Sequence, residues 1–238
     1  MRRIIMLKYL ISTFTVILFM TVKSYAAPLH AYYCFNLETE ESINTFIGAF
    51  DNFFASPASK GVSTHRLYAF PLNGANKFSH CIVTENSSPS QFEKNNKIVN
   101  SSTEGKELLG IIAGAGEIIM EGAGTPIIAS DNQNPTSPVG VIIDIRAKNS
   151  KAFVAALSKL VNSPGQKGEM IVFEDTFTGI KGRTHYVVIN GSSLEEALSN
   201  LNETLTSDDG QKYLKGANKF RRVMDTALLN LVKSWEVE

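Results

Sequence analysis

The sequence carries no surplus of charge, with 23 Lys and Arg residues against 23 Asp and Glu residues in 238. Without a basic run beyond the first few positions it lacks the cationic surface that a phosphate backbone demands, which argues against nucleic acid as a partner. Its one long apolar run, Tyr9–Val22, is shorter than the roughly 17–25 residues needed to cross a bilayer, and no later segment could span either. G-x-S-x-G, H-E-x-x-H, C-x-x-C and P-loop sequences are all missing. Neither His80 nor His185 has a carboxylate or a second histidine at i+2 or i+4, so no metal set is indicated. What remains, 43% hydrophobic and 19% charged, has the composition of ordinary globular domains.

The amino terminus has the pattern of an export signal. Arg2, Arg3 and Lys8 precede the apolar run, and Ser24-Tyr25-Ala26 supplies small residues at the −3 and −1 positions of a cleavage site. Residues 1–26 therefore read as a removable leader, with a mature chain starting at Ala27 that is periplasmic or secreted and has no stable membrane anchor. Cys34 lies too far from the run to suggest lipidation. The leader holds four basic residues and no acidic one, so the mature net charge is about −4. Both cysteines, Cys34 and Cys81, fall in the exported part, where an even count favours one disulfide over two buried thiols.

The strongest pattern is an internal repeat. At an offset of 107, Phe46, Ile47, Phe50, Phe53 and Phe54 fall on Phe153, Val154, Leu157, Leu160 and Val161, one apolar stripe of an amphipathic helix in each copy. Ser56-Pro57 and Lys60-Gly61 fall on Ser163-Pro164 and Lys167-Gly168, a shared stop and turn. At 105, Ser79-His80-Cys81-Ile82-Val83 falls on Thr184-His185-Tyr186-Val187-Val188, and the helix starts Ser88-x-x-Gln91 and Ser193-x-x-Glu196 coincide as capping boxes.

Each copy reads as a strand (Ala31–Leu37; Val139–Ile145), the amphipathic helix, and a second strand (Ser63–Leu72; Met170–Thr176). A turn with Asn73-Gly74 or Thr178-Gly179 leads to the His-bearing strand (Phe78–Thr84; Thr184–Asn190). A long helical stretch (Ser88–Met120; Ser193–Asp225) and a short strand (Thr125–Ala129; Leu229–Trp235) complete the unit. The order is βαββαβ, twice, over 27–129 and 139–238, joined by the polar linker 130–138. Gly110–Gly124 is glycine-rich but late in the predicted helix, which argues against a dinucleotide loop and for close packing of helix on sheet.

This order and duplication resemble the ferredoxin-like superfamily of dimeric α/β barrels, the group that includes antibiotic-biosynthesis-monooxygenase domains. The resemblance implies an α+β fold in which tandem ferredoxin-like repeats pair through their sheets as a pseudo-dimeric barrel, and hence a monomer. In such a sheet the first and third strands are antiparallel neighbours, which would let Cys34 and Cys81 bridge. The tyrosine-rich strand around Asn36 is similar to the strand on which haem-degrading members carry an asparagine that works with a tryptophan and a histidine. The one tryptophan here, Trp235, lies in the other copy, and at the offset of 107 Asn36 falls on Ile143.

The repeated His80 and His185 either satisfy buried groups or line a cavity, and Asn36, His65, Tyr68, His80 and His185 are the candidate ligand-binding residues, with the first copy favoured. Tyr32, Tyr33 and Phe70 could add aromatic lining. The expectation is an exported barrel that binds a small apolar molecule or a protein partner without a cofactor; the alternative is a cofactor-free or haem-dependent monooxygenase. Amino-terminal sequencing of protein recovered from outside the cytoplasm should begin at Ala27, and recovery of a chain that keeps Met1 would contradict the leader assignment.

Overall fold

In the computed structural model, residues 27–131, 134 and 137–236 are described. Residues 1–26, on which the leader expectation falls, lie outside the described residues, as do positions 132, 133, 135 and 136 and the last two residues. The first copy contains β1 (Leu29–Phe35), α1 (Glu40–Ala55), β2 (Thr64–Leu72), β3 (His80–Asn86), α2 (Pro89–Ser101), α3 (Thr103–Ala115) and β4 (Ile118–Ala129). The second contains β5 (Val139–Ala147), α4 (Ser150–Val161), β6 (Glu169–Phe177), β7 (His185–Gly191), α5 (Leu194–Thr206), α6 (Asp208–Phe220) and β8 (Arg221–Trp235).

Among the described residues the strands close into one eight-stranded barrel in the order β1-β3-β2-β8-β5-β7-β6-β4. Every neighbouring pair is antiparallel. Two seams join the copies, β2 with β8 and β4 with β6. Because directions alternate around the ring, β1, β2, β5 and β6 run one way, and the β2–β3 and β6–β7 turns share one end of the barrel. Strands β1 and β5 sit four places apart, as do β3 and β7, so equivalent positions of the two copies face each other across the lumen.

Strand alternation divides the apolar residues between lumen and helices. On the outer face, Phe46, Phe50 and Phe53 of α1 pack with Phe35, Leu67, Ile82 and Trp235. The second copy repeats the arrangement with Phe153, Leu157 and Leu160 of α4 on Ile145, Val172, Val187 and Ile189. The bridge is formed: Cys34 and Cys81 are directly paired in register, with Cα atoms 4.0 Å apart. It closes a 47-residue separation, worth up to about 4 kcal/mol on the chain-entropy estimate.

Three expectations need correction. The predicted helical stretches Ser88–Met120 and Ser193–Asp225 are each two helices followed by a long strand. Ser102 and Ser207 take extended backbone conformations there and accept from Gly105 and Gly210 N–H, so each serine ends one helix and caps the next. Much of the glycine-rich stretch therefore belongs to β4 and not to a helix. Second, Asn36 does not correspond to Ile143: Phe35 pairs with His80 as Ile145 pairs with His185, which makes Arg146 the counterpart of Asn36. The longer α1, 16 residues against 12 in α4, absorbs the difference. Third, the capping boxes are half made, since Glu196 accepts from Ser192 N–H and Gln91 donates to Gly61 O.

An isolated first copy would leave β2 and β4 as bare edges and one sheet face uncovered. Residues 27–134 expressed alone should dimerise or aggregate, as sedimentation velocity would detect. A cooperative, monomeric half would contradict the dependence of each copy on the other.

Candidate functional site

The barrel encloses a cavity of about 340 Å³. Its lining runs from the half-buried turn residues Asn73, Asn76 and Ile180 at one end to His30, Glu85 and Asn190 toward the other, with Val83, Ile142, Ile171 and Val188 along the wall. Most of this surface is hydrocarbon, and the polar groups on it are few.

Near the turns, the two copies make opposite walls from equivalent positions. In the first copy Cys34, Cys81, Phe78 and Phe70 gather with Met120 into an apolar cluster around the disulfide. Strand pairing puts Asp144, Tyr186, Arg183, Asp175 and Asp225 at the corresponding places in the second. Arg183 donates from Nη1 to Asp144 Oδ1 at 2.9 Å, from Nε and Nη2 to the two oxygens of Asp175 at 2.8 and 3.0 Å, and from Nη2 to the Tyr32 hydroxyl at 2.6 Å. The guanidinium lies 4.5 Å from the centre of the Tyr186 ring, which stacks on Phe173 at 4.6 Å.

These charges are out of water: side-chain exposure is 3% for Arg183, 6% for Asp144 and 3% for Asp175. Burial pushes the Asp144 carboxyl above its ordinary value, although Arg183 pulls the other way. Burial likewise raises the Tyr32 and Tyr186 hydroxyls, which stay protonated. Room for these two rings comes from β4. A Cβ at Gly122 would fall 2.2 Å from the Tyr32 hydroxyl oxygen, and one at Gly124 would fall 2.5 Å from that of Tyr186. The glycines of the Glu121-Gly122-Ala123-Gly124 run thus admit two tyrosines to the lumen.

Of the five candidate ligand-binding residues, Tyr68 lines the cavity, and burial pushes its hydroxyl up to about 12. Asn36 lies past the end of β1 and donates to Glu38 Oε1 at 2.8 Å. His65, His80 and His185 lie outside the lumen lining. His65 Nδ1 donates to Ser63 O at 2.8 Å, and its ring packs edge-on against Phe54. His80 Nδ1 bonds Ser79 Oγ at 2.8 Å, and His185 Nδ1 bonds Thr184 Oγ1 at 2.9 Å. Those hydroxyls in turn accept from Leu37 N–H and Ala147 N–H, so each hydroxyl-histidine pair ties down the end of its copy's first strand. His185 Nε2 is buried without a hydrogen-bond partner beside the Phe153 ring.

His30 is the imidazole that lines the cavity, against Phe173 and opposite Glu85 in the β1–β3 register. Burial lowers its pKa, and Arg66 adds to this while Glu85 opposes it. Arg66 holds Glu85 by bonds of 2.8 and 3.4 Å. Sequence reasoning passed over His30 and the ionic wall. The available signal was the repeat itself, in which a charged residue in one copy sits opposite Phe or Cys in the other.

An imidazole nitrogen free in a cavity is one common ligand to haem iron. His30 alone offers one, without Asn36 or Trp235 beside it; Trp235 donates to Asp51 and packs on Phe50 in the outer core. The histidine, asparagine and tryptophan of the haem-degrading pattern therefore do not converge in the lumen. Among the described residues no cluster of three His, Cys, Asp or Glu side chains could hold a metal ion.

No protein-family model matches the chain, and no curated protein matches it. Solved structures do. A provisionally assigned monooxygenase from Fusobacterium nucleatum aligns at a TM-score of 0.61 and 16% identity, covering 89% of this chain and 95% of that one. Another provisionally assigned monooxygenase, from Lactobacillus acidophilus, gives 0.60 and 12%, with 88% and 96% covered. An anthrone oxidase-like protein gives 0.57 and 12%, with 87% and 92% covered. At these identities the likeness is one of fold, a closed eight-stranded barrel with outer helices made within a single chain.

Titration of His65 offers a test of how tightly the outer core is closed. Burial lowers its pKa from 6.5 to about 4 despite the bond to Ser63. The folded state then binds fewer protons than the unfolded chain, so this contribution is complete above pH 6.5 and is lost as pH falls toward about 4. At about 1.4 kcal/mol per unit the loss approaches about 3 kcal/mol. Denaturant melts between pH 7 and 4 should show this slope, and His65→Gln should flatten it; an unchanged slope in the variant would contradict the assignment.

Proposed function

We propose that the chain is an exported, monomeric barrel that holds a small, mostly apolar molecule in its lumen. The observation that carries this reading is the cavity itself, about 340 Å³ with a mainly hydrocarbon lining, where a barrel of this size has side chains enough to fill its interior. Residues that would have closed it are small or short at mid-depth, Val83, Val188, Ile142 and Ala227 among them. Export is supported by the Cys34–Cys81 bridge, which persists in oxidising compartments, and no helix among the described residues is long and apolar enough to cross a membrane. The reading calls on no cofactor.

A second reading, cofactor-free oxygenation of the bound molecule, is favoured by one observation, the fold shared with proteins described as monooxygenases and as anthrone oxidase-like. It would rest on His30 and Tyr68 as the cavity's proton-exchanging groups, since Asn36 is turned to Glu38. Oxygen uptake on adding a cavity ligand, lost in His30→Gln, would support it.

The neutral fluorophore N-phenyl-1-naphthylamine should bind the mature chain with a rise in fluorescence. Val188→Trp, which fills the lumen at a stability cost of about 1–3 kcal/mol, should weaken that binding at least tenfold while circular dichroism stays native. Undiminished binding in the folded variant would remove the lumen as the site.

A further inference from the structure

We propose that the ionic wall of the lumen is a recognition site for a single neutral hydroxyl group on an otherwise apolar molecule, and that it excludes carboxylic acids. This rests on the lumen being the binding site. Four hydrogen bonds from Arg183 go to Asp144, Asp175 and Tyr32, and the Tyr186 ring lies against the guanidinium, so it has little left for an incoming anion. Two carboxylates share that one cation, which leaves the wall with a net negative charge and makes it repel an acid.

Two atoms of the wall are left open. Asp144 Oδ1 takes the Arg183 bond, while Oδ2 has no protein partner among the described residues, on a residue that is 4% exposed and lines the cavity. The Tyr32 oxygen already accepts twice, from Arg183 Nη2 at 2.6 Å and from Gly179 N–H at 3.2 Å, so its own proton is free to be donated. Asp144 and Tyr32 are bonded to the two terminal nitrogens of one guanidinium, which gathers the open acceptor and the open donor at one group in the same wall. A hydroxyl group is the small neutral function that gives one hydrogen bond and takes one. An ether can only take, and a carboxylate adds charge to a site that already has too much. Across the lumen the disulfide, Phe70, Phe78 and Met120 offer nothing but apolar contact, which suits the remainder of such a molecule.

Displacement of N-phenyl-1-naphthylamine by 1-decanol, decyl methyl ether and decanoate at pH 7.5 tests this. The alcohol should compete about tenfold better than the ether, the worth of one hydrogen bond to a charged acceptor, and decanoate should be weaker still. Tyr32→Phe, which removes the donor that both accept from, should weaken alcohol and ether alike, and Asp144→Asn, which removes the charged acceptor, should bring alcohol and ether closer together and lessen the exclusion of decanoate. If Asp144→Asn does not fold, Tyr32→Phe decides: competition by alcohol and ether should both fall at least several-fold while the fluorophore stays bound, and unchanged competition would overturn the hydroxyl site. Equal competition by all three probes against a bound fluorophore would overturn the hydroxyl site while leaving the lumen as a general apolar receptor; failure of the fluorophore to bind the wild-type chain would overturn both.

Discussion

Closure of the barrel is the constraint on which everything else depends. A four-stranded sheet of either copy has two open edges and two faces, and its helices cover only one face. Pairing β2 with β8 and β4 with β6 removes all four edges at once and turns both uncovered faces inward. The strands that make this possible are long, 12 residues in β4 and 15 in β8, because each must pair with its own sheet and with the opposite one. Once closed, the structure holds two separate hydrophobic environments in each copy: the helix-covered outer core, which is tightly filled by Phe and Leu, and the lumen, which is not.

That division explains which residues can do chemistry. Histidines on the outer face are fixed by neighbouring hydroxyl or carbonyl groups, and His65 and His185 lie against Phe rings, so burial lowers their pKa values and their hydrogen bonds serve the backbone. Groups on the inner face meet a space large enough for another molecule. One step of alternation along a strand separates the two roles. In β2, His65 belongs to the outer core whereas Tyr68 lines the lumen.

The fold was legible in the sequence because the repeat appeared twice with the same stops and caps, and the strand edges found there lie within a residue or two of the structure for six of the eight strands. The disulfide followed once the strand order was assumed. The last strand of the first copy reads short because Gly122 and Gly124 look like helix packing or loop when the two tyrosines they accommodate, 90 and 62 residues away in sequence, are not in view. The site was the least legible part. Repetition of the Ser-His and Thr-His pairs marked a structural device shared by both copies, whereas the lumen's chemistry lies where the copies differ. His30 and Arg183 carried no local pattern, since their setting is made by strands from both copies.

The duplication also supplies a comparison that mutagenesis would otherwise have to make. At five equivalent positions one copy has Cys34, Phe70, Phe78, Cys81 and Met120, and the other has Asp144, Asp175, Arg183, Tyr186 and Asp225. Both sets occupy the same place on the same frame, so the fold does not require ionic residues there. Buried ion pairs seldom add net stability over a well-packed apolar set, because desolvation offsets most of the Coulomb gain, yet losing one member is costly, about 3–5 kcal/mol. A charged set that contributes little to stability, sits in a cavity wall, and has a ready apolar substitute in its own twin is best accounted for by what it can bind. The charges of the polar wall come from the second copy, completed by Tyr32 of the first, which also holds the covalent clamp, and a molecule in the lumen would touch both.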